Sequence, residues 1–218
     1  MNSVIIVAAG DGSRLGSDIP KQFINLDKNK SILNICVDAF MRNKLIDEII
    51  IVVLEEWVEK IKKEFNQCKV VSGGKTRTES SIIGLNNCSK ECINILIHDA
   101  ARPFVSKKII LECIEKLKKY DAVIPILPAT DSMICEDNNQ LSYLDRSKVK
   151  IIQTPQAFKF KSFFSACKNI KDNTDNFSAF YNTNPNINYI FIKGDKLNFK
   201  ITDKSDLKIA KKIYELRP

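Results

Sequence analysis

Residues 4–23 read VIIVAAGDGSRLGSDIPKQF, an apolar strand that runs directly into a loop of small, flexible and cationic residues. The four apolar residues from Val4 to Val7 suit a strand buried on both faces, as in a parallel sheet. Ala8, Ala9, Gly10 and Gly12 then withdraw side-chain bulk where the strand must end, so backbone N–H groups can approach an anion. Arg14 and Lys21 add fixed positive charge. Small residues with cations after a first strand compose a phosphate cradle. It is not the dinucleotide fingerprint, because the third glycine of G-x-G-x-x-G is replaced by Leu15 and Pro20 opposes an immediate helix. A second phosphate loop, G-x-x-x-x-G-K-T, also fails at Gly73-Gly74-Lys75-Thr76, since its first glycine would fall on Lys69.

Outward from that loop, strand and helix signals alternate. Ser31 can cap a helix whose apolar positions Leu33, Cys36, Val37 and Phe40 follow a 3.6-residue period. A buried strand over 49–54 precedes a helix marked by Trp57, Ile61 and Phe65, and Val70-Val71 is a short strand. A strand over 93–97 leads to a helix capped by Ser106, and 122–126 is the next strand. Beyond a helix over 159–167 and a strand over 189–192, Asp203 caps a closing helix carrying Leu207, Ala210 and Ile213. This alternation predicts an α/β fold, a single Rossmann-like domain over 1–218 with a mostly parallel sheet flanked by helices. Residues 131–150 break the pattern: two short β-like runs, 132–135 and 141–144, flank Glu136-Asp137-Asn138-Asn139. So polar a hairpin cannot bury itself alone, and it either projects as an arm or packs on a partner.

The chain of 218 residues suits one domain with a good core. Its net charge of +8 is spread as lysines over the helices, without a basic run interleaved with aromatics, which argues against a nucleic-acid partner. Seven cysteines without C-x-x-C pairs and one histidine argue against structural zinc and fit a reducing compartment. With neither a signal peptide nor a run of 18 apolar residues, the expectation is a cytoplasmic protein, or one of an organelle matrix after loss of a leader, and no membrane span.

Three further segments carry chemistry. Gly73-Gly74-Lys75-Thr76-Arg77-Thr78-Glu79-Ser80 enters a helix whose free N–H groups would face the carboxyl edge of the sheet. His98-Asp99-Ala100-Ala101-Arg102-Pro103 leaves a buried strand, and an arginine fork grips phosphate in a planar, bidentate way. The third is Arg146 with Gln153-Thr154-Pro155-Gln156-Ala157-Phe158, eight steps separating arginine from threonine. None of these supplies a serine, cysteine or histidine nucleophile with a matching base, so the pattern suits phosphoryl-type chemistry.

Taken as motifs, AAGxGxR with a following PKQ resembles the nucleotidyltransferases of sugar nucleotides and polyol phosphates. The PKQ form resembles the cytidylyltransferase branch, the 2-C-methyl-D-erythritol 4-phosphate cytidylyltransferases in particular. The other segments are similar to the family's GGxxRxxS, HDxARP, R…QTPQxF and GDxxNxKxT motifs, the last over Gly194 to Thr202. The resemblance implies that Arg14, Lys21 and Lys200 are catalytic, neutralising charge as it develops. It implies nucleotide binding by Ala8, Ala9, Gly10, Gly12, Gly74, Arg77 and Ser80. Acceptor binding falls to Asp99, Arg102, Ser132, Arg146 and Thr154. Mg2+ is the implied cofactor, held mostly by CTP phosphates, with Asp99 as its protein ligand. His98 is read as structural, because a phosphate nucleophile is already ionised. The arm is implied to exchange with a second copy in a homodimer, carrying Arg146 to the neighbouring site. Three positions depart from the pattern: Ser132 stands for threonine, Asn176 for the second acid of TDDAS, and Phe177 for its alanine. The implied reaction is in-line attack by the polyol phosphate on the α-phosphorus of CTP, expelling pyrophosphate, on the route to isoprenoid precursors. Ribitol 5-phosphate cytidylyltransferase is the close alternative, against which the Arg146 to Thr154 spacing speaks. A non-catalytic nucleotide-binding module and an RNA-binding domain are the more distant ones.

Overall fold

The structure is a computed structural model that describes residues 1–10, 16, 19–138, 140–167 and 175–216. Its centre is β1 (Asn2–Ala8), flanked in parallel by β2 (Glu48–Val53) and β4 (Asn94–Asp99), with β3 (Lys69–Ser72) outside β2. On the far side come β9 (Gln156–Lys159), β5 (Ala122–Pro128) and β10 (Tyr189–Lys193). Among the described residues this makes an eight-stranded sheet in the order β3-β2-β1-β4-β9-β5-β10, with β8 (Lys150–Ile152) paired to β5.

Alternation along the central strands builds a core on each face of the sheet. Val4, Ile6 and Ala8 pack under α1 (Ile32–Met41), α2 (Val58–Glu64) and α4 (Lys107–Lys116), together with Phe40, Ile61 and Ile110. Ile5 belongs to the opposite layer, where Leu85 of α3 (Arg77–Asn86), Phe163 of α5 (Phe160–Cys167) and Phe180 of α6 (Asn176–Thr183) meet it. Cys36 and Cys113 are buried in the first layer and Cys167 in the second, as small hydrophobes. Closing the chain, α7 (Lys204–Glu215) sets Ala210 in a third cluster with Phe104 and Ile201.

Helix starts follow local chemistry. The Ser31 hydroxyl accepts from the Asn34 N–H in a capping box, Ser106 accepts from Ile109, and Asp203 with Asp206 makes a second box, each cap contributing about 1 kcal/mol. Two features differ from the sequence reading. The fourth parallel strand runs on to Asp99, so His98 and Asp99 stand in the sheet rather than in a loop. Strands β8 and β9 carry no sequence signal of their own, and β9 lies antiparallel between β4 and β5, which makes the sheet mixed.

The arm consists of β6 (Met133–Asp137) and β7 (Gln140–Leu144), paired only with each other. Its tip includes Asn138 with φ +48°, a left-handed conformation that asparagine tolerates. No described helix is long and apolar enough to cross a membrane.

Candidate functional site

The strand order reverses between β1 and β4, and ligands of open α/β sheets bind outside the carboxyl ends of strands at that point. A cleft of about 300 Å³ opens there. Ala8, Ala9 and Gly10 form its floor, Gly74, Arg77 and Ser80 one wall, and Lys21, Asp99 and Lys200 the remainder. Gly12 and Arg14 lie outside the described residues.

The floor is tied in place by Gln22, a residue the sequence reading quoted without a role. It is 3% exposed, and its amide donates to Ala8 O at 2.6 Å and Gly10 O at 2.9 Å. The wall is the start of α3, capped by Thr76, whose hydroxyl accepts from Glu79 N–H. Ser80 is buried and accepts from Gly74 N–H at 3.2 Å, so its hydroxyl shapes the glycine turn. Gly74 is required by crowding, because a Cβ there would lie 2.5 Å from Glu79 Cβ and 2.6 Å from its Oε2.

Asp99 is the electrostatic hub. Its Oδ1 accepts from Arg77 Nε and Nη2, both at 2.9 Å, and its Oδ2 accepts from Lys200 Nζ at 2.8 Å. Arg102 Nε stands 4.0 Å from Oδ2. Burial acts to raise the Asp99 carboxyl, but Arg77, Lys200 and Arg102 outweigh it and hold the group well below the usual carboxylate range.

A second cavity of about 200 Å³ lies on the other side of this hub, against Arg102, Thr154, Gln156 and Asp175. Arg77, Asp99 and Lys200 line both spaces. Arg102 Nη1 donates to Asn198 O at 2.9 Å, while its Nε is buried without a hydrogen-bond partner. The antiparallel β9 explains how Thr154 arrives here: its amino end lies at the carboxyl edge of β4, with Ile97 opposite Gln156. Thr154 Oγ1 accepts from Asp99 N–H at 3.1 Å and meets His98 Nδ1 at 3.1 Å. His98 Nε2 lies 2.9 Å from Arg102 O, and since a carbonyl only accepts, Nε2 carries the proton and Nδ1 takes the Thr154 hydroxyl. Burial holds the His98 imidazolium pKa down at about 4, in keeping with a neutral structural residue.

Sequence reasoning missed the residues that brace this cavity. Asn198 is fully buried and donates to Thr154 O at 2.8 Å, and Gln153 exchanges hydrogen bonds with the Asp195 backbone at 2.9 and 3.1 Å. Gln156 donates to Asp175 at 3.1 Å, and Asp175 caps α6 by accepting from Phe177 and Ser178 N–H. Asp175 of this segment is thus a helix cap on the cavity wall, with Thr174 outside the described residues. Phe177 fills an aromatic cluster, edge-on to Tyr189 at 5.1 Å and Phe191 at 5.8 Å. Nothing in the structure explains Asn176, whose buried Nδ2 lacks a partner.

Two expected acceptor residues are not brought to either cavity within one chain. Ser132 is exposed at the root of the arm, and Arg146, also exposed, donates to Thr130 O at 2.9 Å.

Comparison with known proteins matches this architecture. A family model described as "IspD: 2-C-methyl-D-erythritol 4-phosphate cytidylyltransferase" covers residues 2–216. The 2-C-methyl-D-erythritol 4-phosphate cytidylyltransferase of Thermotoga neapolitana is 34% identical, with 98% of this chain and 96% of that protein aligned. The bifunctional enzyme IspD/IspF of Wolbachia pipientis wMel is 37% identical over 98% of this chain, which spans 55% of its length. Among solved structures, 4-diphosphocytidyl-2C-methyl-D-erythritol synthase of Anaerococcus prevotii superposes with a TM-score of 0.86 at 27% identity, covering 99% of this chain and 96% of that one. The 2-C-methyl-D-erythritol 4-phosphate cytidylyltransferase of Francisella tularensis gives 0.80 at 31% identity, over 96% and 97% of the two chains. Since the match takes in the loop after β1, both cavities and the arm alike, the chain belongs to the IspD family of 2-C-methyl-D-erythritol 4-phosphate cytidylyltransferases.

Proposed function

We propose that the chain joins CTP to 2-C-methyl-D-erythritol 4-phosphate, giving 4-diphosphocytidyl-2-C-methyl-D-erythritol and pyrophosphate for isoprenoid precursor synthesis. The carrying observation is the wall shared by the two cavities, made by Arg77, Asp99 and Lys200. Nucleotide and acceptor on either side of that wall bring two polyanions to one row of cations. The cytidine triphosphate occupies the larger cleft on the Ala8 to Gly10 floor, with Lys21 and Arg14 at its phosphates. The acceptor phosphate takes the second cavity, where the unpartnered Nε of Arg102 and its desolvated fork suit an anion.

An ionised oxygen of the acceptor phosphate attacks the α-phosphorus in line. The bond from that phosphorus to the β-phosphate bridge oxygen breaks, and pyrophosphate leaves. Lys21 and Lys200 meet the negative charge as it shifts onto the leaving group, and no protein base is required. His98, neutral and hydrogen-bonded on both nitrogens, holds Thr154 and the Arg102 loop rather than moving a proton.

Mg2+ fits as an ion held chiefly by phosphate. Among the described residues no group of three or more His, Cys, Asp or Glu side chains gathers to hold a metal, and the Asp99 oxygens already receive Arg77 and Lys200. Asp99 keeps one lone-pair site for it, and the triphosphate supplies the other ligands. Bound there, the ion neutralises phosphate charge.

The working form is a homodimer in which each arm serves its partner. Supporting this, β6 and β7 pair only with each other, and Ile134, Leu141 and Tyr143 are exposed on them. A two-stranded ribbon of that kind needs another surface. Contribution in trans also gives Ser132 and Arg146 an acceptor to bind. The compartment is the cytoplasm, consistent with seven free cysteines.

Pyrophosphate release by the purified protein with CTP, Mg2+ and methylerythritol phosphate tests the reading, run beside ribitol 5-phosphate and beside ATP, GTP and UTP. Release with CTP and methylerythritol phosphate alone is expected. Equal release with ribitol phosphate would overturn the acceptor assignment, and silence from a folded protein would overturn the activity.

A further inference from the structure

Lys21, Gln22 and Phe23 form a single 3-10 turn, closed by Phe23 N–H to Pro20 O at 2.9 Å and Ile24 N–H to Lys21 O at 3.1 Å. With three residues per turn, successive side chains point about 120° apart, so each of the three faces a different direction. Gln22 is clamped to the end of β1 through Ala8 O and Gly10 O. Phe23 lies flat on Trp57, ring centroids 3.9 Å apart and planes at 18°. The third side chain, Lys21, faces the cleft.

Trp57 comes from a different part of the sheet. It ends the 3-10 turn Glu55–Trp57 that joins β2 to α2, and β2 pairs with β1 so that Val53 sits opposite Ala8. Lys60 Nζ stands 4.7 Å from the centre of the Trp57 ring, a cation–π contact that adds to the stack's hold on the ring. The Gln22 clamp fixes one edge of the short turn, and Ile32 N–H to Ile24 O at 3.0 Å ties its exit to α1. The stack adds an independent hold on the face of the turn that carries Phe23, and the charge of Asp206 also reaches Lys21.

We propose that Trp57 is a positioning residue for cytidylyl transfer, acting through the Phe23 ring to aim Lys21 at the nucleotide phosphates. This rests on the reading of Lys21 as a phosphate contact. The ring touches neither reactant, and its effect passes entirely through the turn. A lysine displaced by a fraction of an ångström still balances charge in the ground state but meets the developing charge less well, so the loss falls on turnover more than on substrate binding.

The test is a double-mutant cycle on the 218-residue chain, with kcat and both KM values measured beside a thermal melt for every variant. Trp57→Ala is expected to lower kcat roughly tenfold while KM for the acceptor changes less than about twofold. Trp57→Phe, which can still stack, should return kcat to within about twofold of the parent. In a Lys21→Ala background, itself expected to lose about 100-fold, Trp57→Ala should cost less than about twofold more. Phe23→Leu removes the stack from the other side and should repeat both results, which covers the case of a poorly folding Trp57→Ala. A ring that merely packs would give losses that multiply in the double variant, and that result overturns the proposal. Full kcat in folded Trp57→Ala beside a 100-fold loss in Lys21→Ala also removes the positioning role and leaves the function of Lys21 standing. Wild-type turnover in Lys21→Ala removes both.

Discussion

Asp99 is 7% exposed among Arg77, Arg102 and Lys200, whereas on the arm Tyr143 is 82% exposed and none of the three buried clusters lies beneath it. Around the two cavities the lining is held by groups of the same chain: Asp99 by two cations, Thr154 by His98, and Ala8 and Gly10 by Gln22. Along β6 and β7 the apolar side chains have only each other, as with Ile134 opposite Tyr143. Among the described residues, forces within one chain are therefore sufficient to assemble the cleft and the cavity beside it. The arm has a defined hairpin but an unfinished surface, and in the proposed homodimer its contribution would come through a second chain.

The sharpest way to break this contrast is to remove the hub. In Asp99→Asn, three cations converge on a neutral amide, and the fold should lose roughly 3 kcal/mol, the lower end for a buried ion pair because Lys200 is about one-third exposed. Turnover should fall about 100-fold or more, since the wall shared by the two cavities loses its arrangement. A thermal melt and the pyrophosphate assay read the two effects, and a variant as stable and active as the parent would show that the hub is dispensable.

A smaller effect comes from pH. Unfolded, the one histidine of the chain takes a proton near 6.5, whereas in the fold His98 resists until about 4. Between those values the unfolded state binds more protons, so stability falls as pH drops from 6.5 to 4, by at most about 3 kcal/mol, and the contribution is complete above 6.5. Asp99, whose carboxyl is held low, acts in the same direction only below its ordinary value of 3.8. Denaturant midpoints measured across pH 4–7 should show the slope, and His98→Gln should flatten it. A parent whose midpoints stay level over that range would contradict a neutral buried His98.

The smallest stability effect belongs to the arm. Ile134→Lys with Tyr143→Lys should leave the melting of the isolated chain within about 0.5 kcal/mol, because neither side chain rests on the core. Light scattering at micromolar concentration should nonetheless move from dimer to monomer. A dimer that survives both lysines would place the interface elsewhere.

Elements whose stability is local were legible in the sequence. The strand and small-residue loop at 4–10, the caps at Ser31, Ser106 and Asp203, and the hairpin within 131–150 rest on periodicity, hydrogen bonds over two or three residues and turn chemistry, and each stands within a few residues of its expected place. The acidic and basic residues of the hub were readable as types through their motifs. Their pairing was not, because the bond between Lys200 and Asp99 spans 101 residues and the composition of either segment carries no record of the other. The same holds for β9, four residues whose antiparallel place between β4 and β5 comes from the sheet around it. It holds for the Phe23–Trp57 stack, since each ring alone reads as an ordinary core residue. Amino-acid order thus set which chemical groups the chain could offer and where its helices and strands begin. Only packing of the two layers on the sheet decided which groups meet, because such contacts gain free energy from burial and charge shared between segments that are distant along the chain.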